Sequence, residues 1–338
     1  MKAAFFSYDV GLRVLEVDDP SPNEWEVLVE IKAAGLCASD LHFMDGRFRY
    51  SIEPIIPGHE GCGVVKKVGK EVNNVSVGDQ VAIHYVLRCS RCKYCLRGED
   101  NLCRDRKFYG FDLNGTFAQQ MLVLKDNVIS VNNMPFEIGA IAGCAISTPY
   151  RAIKNVGGVE GKDVAIIGLG GVGMHAVLLC RLLGAERIIG IETDESKWKL
   201  AYEYGADYIV NPIRRDPRDA IVEYVKGGVD VAFEFVGSPE TIHYTLNVTK
   251  DGGVSVIAGL VSKEVSVNFS KLILSGKKIV TTIDHTFNDL YEVLDILRNK
   301  KVDVSKSITH KFKLDNIEEA IKLFRKKSEP FVRIIINP

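Results

Sequence analysis

The residues Val164-Ala165-Ile166-Ile167 run straight into Gly168-Leu169-Gly170-Gly171-Val172-Gly173, and a helix-prone stretch starts at Met174. Glycines at this spacing are common, but between an apolar strand and a helix they constrain the fold strongly. Gly168 permits a tight turn. Gly170, with Gly171 and Val172 beside it, lets backbone N–H groups approach a pyrophosphate, and Gly173 lets the helix pack closely on the strand. At the end of the next strand, about 20 residues on, stands Glu192. A carboxylate there can hydrogen-bond the ribose hydroxyls of an adenosine, which favours NAD. A 2′-phosphate about 4 Å away would be repelled by roughly 4 kcal/mol per unit charge at an effective dielectric near 20.

The texture of the chain supports this reading. From about Lys162, six candidate strands alternate with helical stretches: Val164–Ile167, Arg187–Ile191, Tyr208–Val210, Val231–Phe235, Val254–Ala258 and Ile279–Ile283. Helices over Met174–Leu183 and Ser196–Tyr204 are each closed by a glycine, Gly184 and Gly205. Alternation of this kind predicts an α/β fold with a doubly wound parallel sheet. Before about residue 145 the pattern differs, with short β-prone runs cut by Gly, Pro and Asn. The tail carries an amphipathic stretch near Asp315–Arg325 and a β-prone end at Val332–Ile336, expected to fold back onto the first part. A chain of 338 residues exceeds what one core usually serves, so two domains are expected.

Composition excludes several classes of function. Lys plus Arg (43) and Asp plus Glu (44) nearly cancel, so there is no basic excess for nucleic acid. The longest mostly apolar run, Val164–Cys180, holds His175 and several glycines and is too short to span a membrane. The N-terminus lacks the apolar stretch of a secretory signal. Eight cysteines in such a chain suggest a reducing cytoplasm, where clustered thiols more often hold metal than form disulfides.

Four of those cysteines stand as Cys89-x2-Cys92-x2-Cys95-x7-Cys103 in a segment rich in Arg, Lys, Gly and Asp. Four thiolates make the closed tetrahedral shell of a structural zinc, while an iron–sulfur cluster is the other user of such a set. The nucleotide-binding pattern favours zinc. A second set is dispersed: Cys37, His59-Glu60 and Cys144. Two thiolates and a neutral imidazole cancel the charge of a zinc ion and leave a position open for a substrate oxygen. Spacing alone does not unite these residues.

Taken together, the glycine turn, the four-cysteine segment and the Gly35-Leu36-Cys37-Ala38-Ser39-Asp40-Leu41-His42, Gly58-His59-Glu60 and Gly143-Cys144 stretches resemble the medium-chain zinc alcohol dehydrogenase family over nearly the whole chain. The resemblance implies two zinc ions, one catalytic on Cys37, His59 and Cys144, one structural on Cys89, Cys92, Cys95 and Cys103. It implies that Ser39 contacts the substrate oxygen and passes its proton, through the nicotinamide ribose, toward His42. Thr148 is implied beside the nicotinamide, Lys197 near the adenosine ribose, and Arg333 at the pyrophosphate. Asp40 and Glu60 resemble the residues that orient and tune the metal ligands, and Tyr85 a wall of the substrate pocket. Cys62 and Cys180 read as packing residues.

On this resemblance a GroES-like catalytic domain is expected from residues 1–146 and 284–338, with a Rossmann domain from 147–283 and the active site in the cleft between them. The expected activity is hydride transfer between an alcohol, or its aldehyde or ketone, and NAD, in a homodimer or homotetramer. A polyol or sugar dehydrogenase of the same superfamily is the alternative; a zinc-free reductase and a zinc-ribbon interaction module fit fewer of the residues. Two departures stand out. Ala38 occupies a position where many relatives carry a cationic or polar residue, and Thr281–His285 resembles poorly the usual Gly-Ser turn.

Overall fold

Residues 148–283 build a six-stranded sheet in which every neighbouring pair is parallel. The strand order is Tyr208–Val210, Arg187–Ile191, Asp163–Ile167, Val229–Glu234, Thr249–Ile257 and Lys278–Thr281. The first strand in sequence is therefore central, and the order reverses beside it, which is the doubly wound arrangement expected. A computed structural model describes residues 1–261, 263–299 and 302–338. In it the chain divides into two units, Met1–Ser147 with Asp284–Pro338, and Thr148–Ile283.

Why these residues form a parallel sheet follows from their burial. Val164, Ala165, Ile166 and Ile167 are all buried, so side chains on both faces are covered and the run is continuously apolar. Each Val or Ile so buried contributes about 1.5–3 kcal/mol. The helix after the turn spans Gly173–Leu182, and Gly184 beyond it has φ of 81°. The stretch Ser196–Tyr204 opens with a 3-10 turn at Glu195–Lys197, capped by the Asp194 carboxylate on the Ser196 N–H, and runs on into the α-helix Trp198–Glu203. The last strand ends at Thr281, two residues before the expected limit.

The other unit is organised by a seven-stranded sheet around the long strand Glu26–Leu36. On one side it pairs antiparallel with Glu60–Val68, which continues to Gln80–Ile83 and Val128–Ser130. Along its other edge Gln120–Leu124 pairs with its first half and Arg333–Asn337 with its second. Two irregularities in register, at Leu28/Val29 and Ile31/Ala33, bend the strand so that both halves close on the core. That core includes Val27, Val29, Ile31, Leu36, Val65, Ile83, Phe117, Val123, Ile334 and Ile336. The tail helix, Ile317–Lys326, buries Ile317, Ala320, Ile321 and Leu323 in the same cluster. Among the described residues no helix is long and apolar enough to cross a membrane.

Candidate active site

Cys37 ends the strand Glu26–Leu36 and caps the short helix Ala38–Met44. His59 precedes Glu60, the first residue of the neighbouring strand, and Cys144 lies in a π-helical turn, Ala142–Ile146, after the helix Phe136–Ile141. Such turns widen a helix locally and often mark functional positions. All four side chains are buried, and one ligand atom from each of Cys37, His59, Glu60 and Cys144 lies within 4.8 Å of the others.

Local packing explains how this cluster is held. Asp40, fully buried at the third helical position, accepts from the Cys37 N–H at 2.9 Å with one oxygen. Its other oxygen is 3.0 Å from His59 Nδ1. That fixes the imidazole with Nε2 free for a metal. Glu60 pairs with the Arg333 guanidinium, itself buried, while its Oε1 has no hydrogen-bond partner among the described residues. The close approach depends on Gly35, because a Cβ there would sit 2.0 Å from Glu60 Oε2.

The electrostatics are those of a site made for a cation. A hydrogen bond from Cys144, with His59 and Arg333 adding to it, holds the Cys37 thiol well below its usual range. Burial acts to lower His59, yet Asp40 and Cys37 together hold it well above the usual histidine range. Burial pushes the Glu60 carboxyl up to about 7. Buried sulfur, imidazole and carboxylate donors with an unpartnered oxygen among them fit zinc, which takes these ligand types in open catalytic sites.

Ser39 Oγ is 3.9 Å from Cys37 Sγ, and His42 follows three residues later on the same helix face. His42 Nδ1 is buried with no partner among the described residues, and burial, with Arg47, lowers its basicity. Ala38 is exposed at the first helical position. The Tyr85 ring packs edge-on against His59, with centroids 4.9 Å apart, and its hydroxyl donates to Asp284 Oδ1 at 2.6 Å. Sequence reasoning flagged the Thr281–His285 segment but assigned no role to Asp284. A non-glycine residue in an unfamiliar turn was the only available signal.

The four remaining cysteines lie close together. Cys92 Sγ and Cys95 Sγ are 3.6 Å apart and Cys89 Sγ and Cys95 Sγ 3.9 Å, near the edge of about 3.8 Å in a tetrahedron of zinc–sulfur bonds. The N–H groups of Cys92 and Cys89 each donate to a cysteine sulfur at 3.4 Å. Backbone N–H donation, foremost from Cys95, lowers the Cys92 thiol to about 6, and burial pushes Cys95 up to about 12. The chain thus supplies some thiolates ready-made and holds others protonated until a cation offsets their repulsion. Arg97, in the same segment, pairs with Glu99. Cys62 and Cys180 are buried apart from both clusters, their thiols pushed up by desolvation.

In the other unit, Gly168 takes φ of 88°, and a Cβ on Gly173 would lie 1.8 Å from the Gly168 carbonyl oxygen. Among the described residues nothing lies within 4 Å of a Cβ on Gly170, and no side chain caps the helix that starts at Gly173. An open backbone cradle at an uncapped N-terminus fits a pyrophosphate. Glu192 is buried at its strand end, accepting from the N–H groups of Leu169 at 2.8 Å and Asp194 at 2.9 Å. Lys197 Nζ stands 3.7 Å from Glu192 and 3.6 Å from Asp194. Thr148 is half-buried in the helix Ser147–Asn155.

Comparison with known proteins bears on both units. Residues 23–133 match the alcohol dehydrogenase GroES-like domain and residues 171–299 the zinc-binding dehydrogenase domain. An alcohol dehydrogenase of Geobacillus stearothermophilus is 35% identical over 323 residues, covering 94% of either chain. The chain belongs to the medium-chain zinc-dependent alcohol dehydrogenase family. An L-threonine 3-dehydrogenase of Pyrococcus furiosus is 33% identical over 331 residues, covering 94% of this chain and 93% of its own. A protein of Sinorhizobium meliloti described as a zinc-binding dehydrogenase, solved with NADP, superposes with a TM-score of 0.91 at 28% identity. It is matched over 99% of its length by 100% of this chain. This member of the family is accordingly a zinc-dependent oxidoreductase that works with a nicotinamide dinucleotide.

Proposed function

We propose that the enzyme moves a hydride between a small alcohol, or its aldehyde or ketone, and NAD at the cluster of Cys37, His59 and Cys144. The observation that carries this reading is the convergence of those three ligand atoms and Glu60 within 4.8 Å in a buried setting. Zinc bound there supplies a Lewis acid that makes the substrate hydroxyl more acidic, and the dinucleotide supplies the hydride acceptor.

The chain's own residues do the rest. The Ser39 hydroxyl takes up the proton that leaves the substrate hydroxyl as it gives up its own, which passes toward His42, one helical turn on, and from there outward. Asp40 keeps His59 in one tautomer. Burial of Cys37, His59 and Cys144 keeps water away from the reacting carbon and strengthens each charge interaction. Cys89, Cys92, Cys95 and Cys103 hold a second zinc that organises their loop.

Preference for NAD rests on Glu192, whose buried carboxylate faces the position of an adenosine ribose in a turn of this type. Lys197 moderates that preference, since an ammonium within 4 Å offsets part of the repulsion toward a 2′-phosphate. Thr148 and Arg333 are further candidate contacts of the cofactor.

Assembly as a homodimer or homotetramer accords with the free edge of Lys278–Thr281 and with exposed Phe269, Ile273 and Leu274 on the adjoining helix. Eight cysteines with no disulfide among them, six of them in the two metal clusters, accord with a cytoplasmic setting.

A panel of primary and secondary alcohols, diols, sugar alcohols and their carbonyl partners, offered with NAD and with NADP to zinc-loaded protein, tests the reading. Appearance or loss of reduced cofactor with at least one alcohol–carbonyl pair, faster with NAD, is expected. Inertness toward every pair would overturn it.

A further inference from the structure

Asp284 begins the returning segment of the metal-bearing unit, directly after the stretch that contributes the last strand of the nucleotide-binding sheet. Its backbone sits at φ 48°, in the left-handed region that side-chain-bearing residues rarely adopt. Glycine would take that conformation without cost. A residue that keeps its carboxyl there stores local strain of the kind that collects at functional positions.

The side chain explains what the strain secures. One carboxyl oxygen accepts the Tyr85 hydroxyl at 2.6 Å, and the Tyr85 ring rests edge-on against His59 of the metal cluster. The other oxygen, Oδ2, is shielded from solvent and has no hydrogen-bond partner among the described residues. Burial raises the Asp284 carboxyl against the lowering pull of the Tyr85 hydrogen bond, His59 and Arg106, and Arg106 spends an N–H on the Cys103 carbonyl oxygen. A desolvated carboxylate oxygen with no donor is costly, so such a group next to a reaction centre is poised for a donor that arrives from outside.

We propose that Asp284 is a specificity-determining residue, its free carboxylate oxygen accepting a hydrogen bond from a second donor group, hydroxyl or ammonium, on the carbon next to the one oxidised. This deepens the alcohol dehydrogenase reading and rests on it: the preferred substrates are vicinal diols or amino alcohols rather than plain alcohols. Tyr85 holds the carboxylate in place by its own hydroxyl, so the carboxylate keeps one oxygen for substrate. A substrate lacking the second donor leaves that oxygen unpaired, and discrimination by an unpaired buried polar group is far steeper than by shape alone.

The test compares kcat/KM for a secondary butanol, the matching vicinal butanediol and the matching amino-butanol, on wild type, Asp284→Asn and Asp284→Ala, each checked for two zinc ions per chain. Wild type should favour at least one donor-bearing substrate over the plain alcohol by about 10- to 100-fold, the range of a hydrogen bond to a charged group. In Asp284→Ala that ratio should collapse toward one. In Asp284→Asn, which keeps an acceptor but loses the charge, an ammonium-bearing substrate should lose its advantage and a hydroxyl-bearing one retain part of it. Equal losses for all three substrates, leaving the ratio unchanged, would reduce Asp284 to a support for Tyr85 and overturn the proposal. So would a wild type that oxidises plain alcohols as well as it does the others. Inertness of wild type toward all three, and toward the wider panel above, would instead remove the dehydrogenase reading on which the proposal stands.

Discussion

Asp40 ties two metal-ligand segments together, one oxygen 2.9 Å from the Cys37 N–H and the other 3.0 Å from His59 Nδ1. An asparagine has a single oxygen, so in Asp40→Asn one of the two N–H groups must face an amide N–H instead. Zinc affinity at this site should fall about 10- to 100-fold, as is usual when the partner of a ligating histidine is removed. Competition with a chromophoric chelator measures this, and an unchanged affinity would contradict the role given to Asp40.

Cys92→Ser should leave one zinc per chain where wild type holds two. Its loop, with few apolar residues of its own, loses its organiser. A stability loss of about 1–2 kcal/mol would lower Tm by several degrees in a unit of this size. Because zinc displaces protons from Cys95 and Cys103, whose thiols burial raises, loading of this site should weaken as pH falls. Metal analysis and a thermal scan of the variant decide the first point. Proton release on titration with zinc decides the second.

Glu192→Ala should weaken the use of NAD and narrow the gap to NADP without reversing it, since the change removes a repulsion but adds no phosphate partner. Lys197 remains to attract the phosphate. Steady-state KM values for the two cofactors give the answer. A wild type that already prefers NADP would count against Glu192 as the discriminating group.

Ser39→Ala should lower the rate of alcohol oxidation by a factor on the order of 10² to 10⁴ with zinc and NAD binding nearly intact, the range for positioned proton transfer. His42→Gln should do less, and its defect should shrink in concentrated buffer. Burial lowers the basicity of His42, so the imidazole stays neutral and able to accept a proton at pH 7. Its contribution should fade only as pH drops through a value below the ordinary one near 6.5. Turnover like that of wild type in Ser39→Ala, measured where a substrate deuterium isotope effect shows chemistry to be limiting, would remove this serine from the mechanism.

Much of the nucleotide-binding unit was legible because its signals are local. A strand, three glycines and an acidic residue about 20 positions on are read from neighbouring positions, and six apolar runs mark six strands. The four-cysteine lobe was legible for the same reason. The dispersed ligands were a different matter: Cys37 and His59 are brought together by strand pairing, and Cys144 by a π-helical turn packed on the strand Glu60–Val68, over separations for which spacing gives no rule. Family resemblance supplied that link. The Asp284–Tyr85 bond joins positions 199 residues apart and follows from neither local pattern nor resemblance. Likewise, apolar periodicity does not report that the Ser196–Tyr204 helix opens with a tighter 3-10 turn, capped by Asp194 on the Ser196 N–H.

The strand Arg333–Asn337 follows the whole stretch 148–283 in the chain, yet it lies against Ala34–Leu36, beside Cys37, and brings Arg333 onto Glu60, 273 positions earlier. During synthesis these residues emerge only after the contiguous stretch 148–283, which can by then already close its own sheet. The metal-bearing unit must therefore wait, the second half of Glu26–Leu36 unpaired on one side and Glu60 without its counter-ion, until that strand has emerged. A ribosome stalled before that strand would display a nucleotide-binding unit already assembled and a metal centre that cannot yet lock, so this late strand sets the order in which the two units can mature.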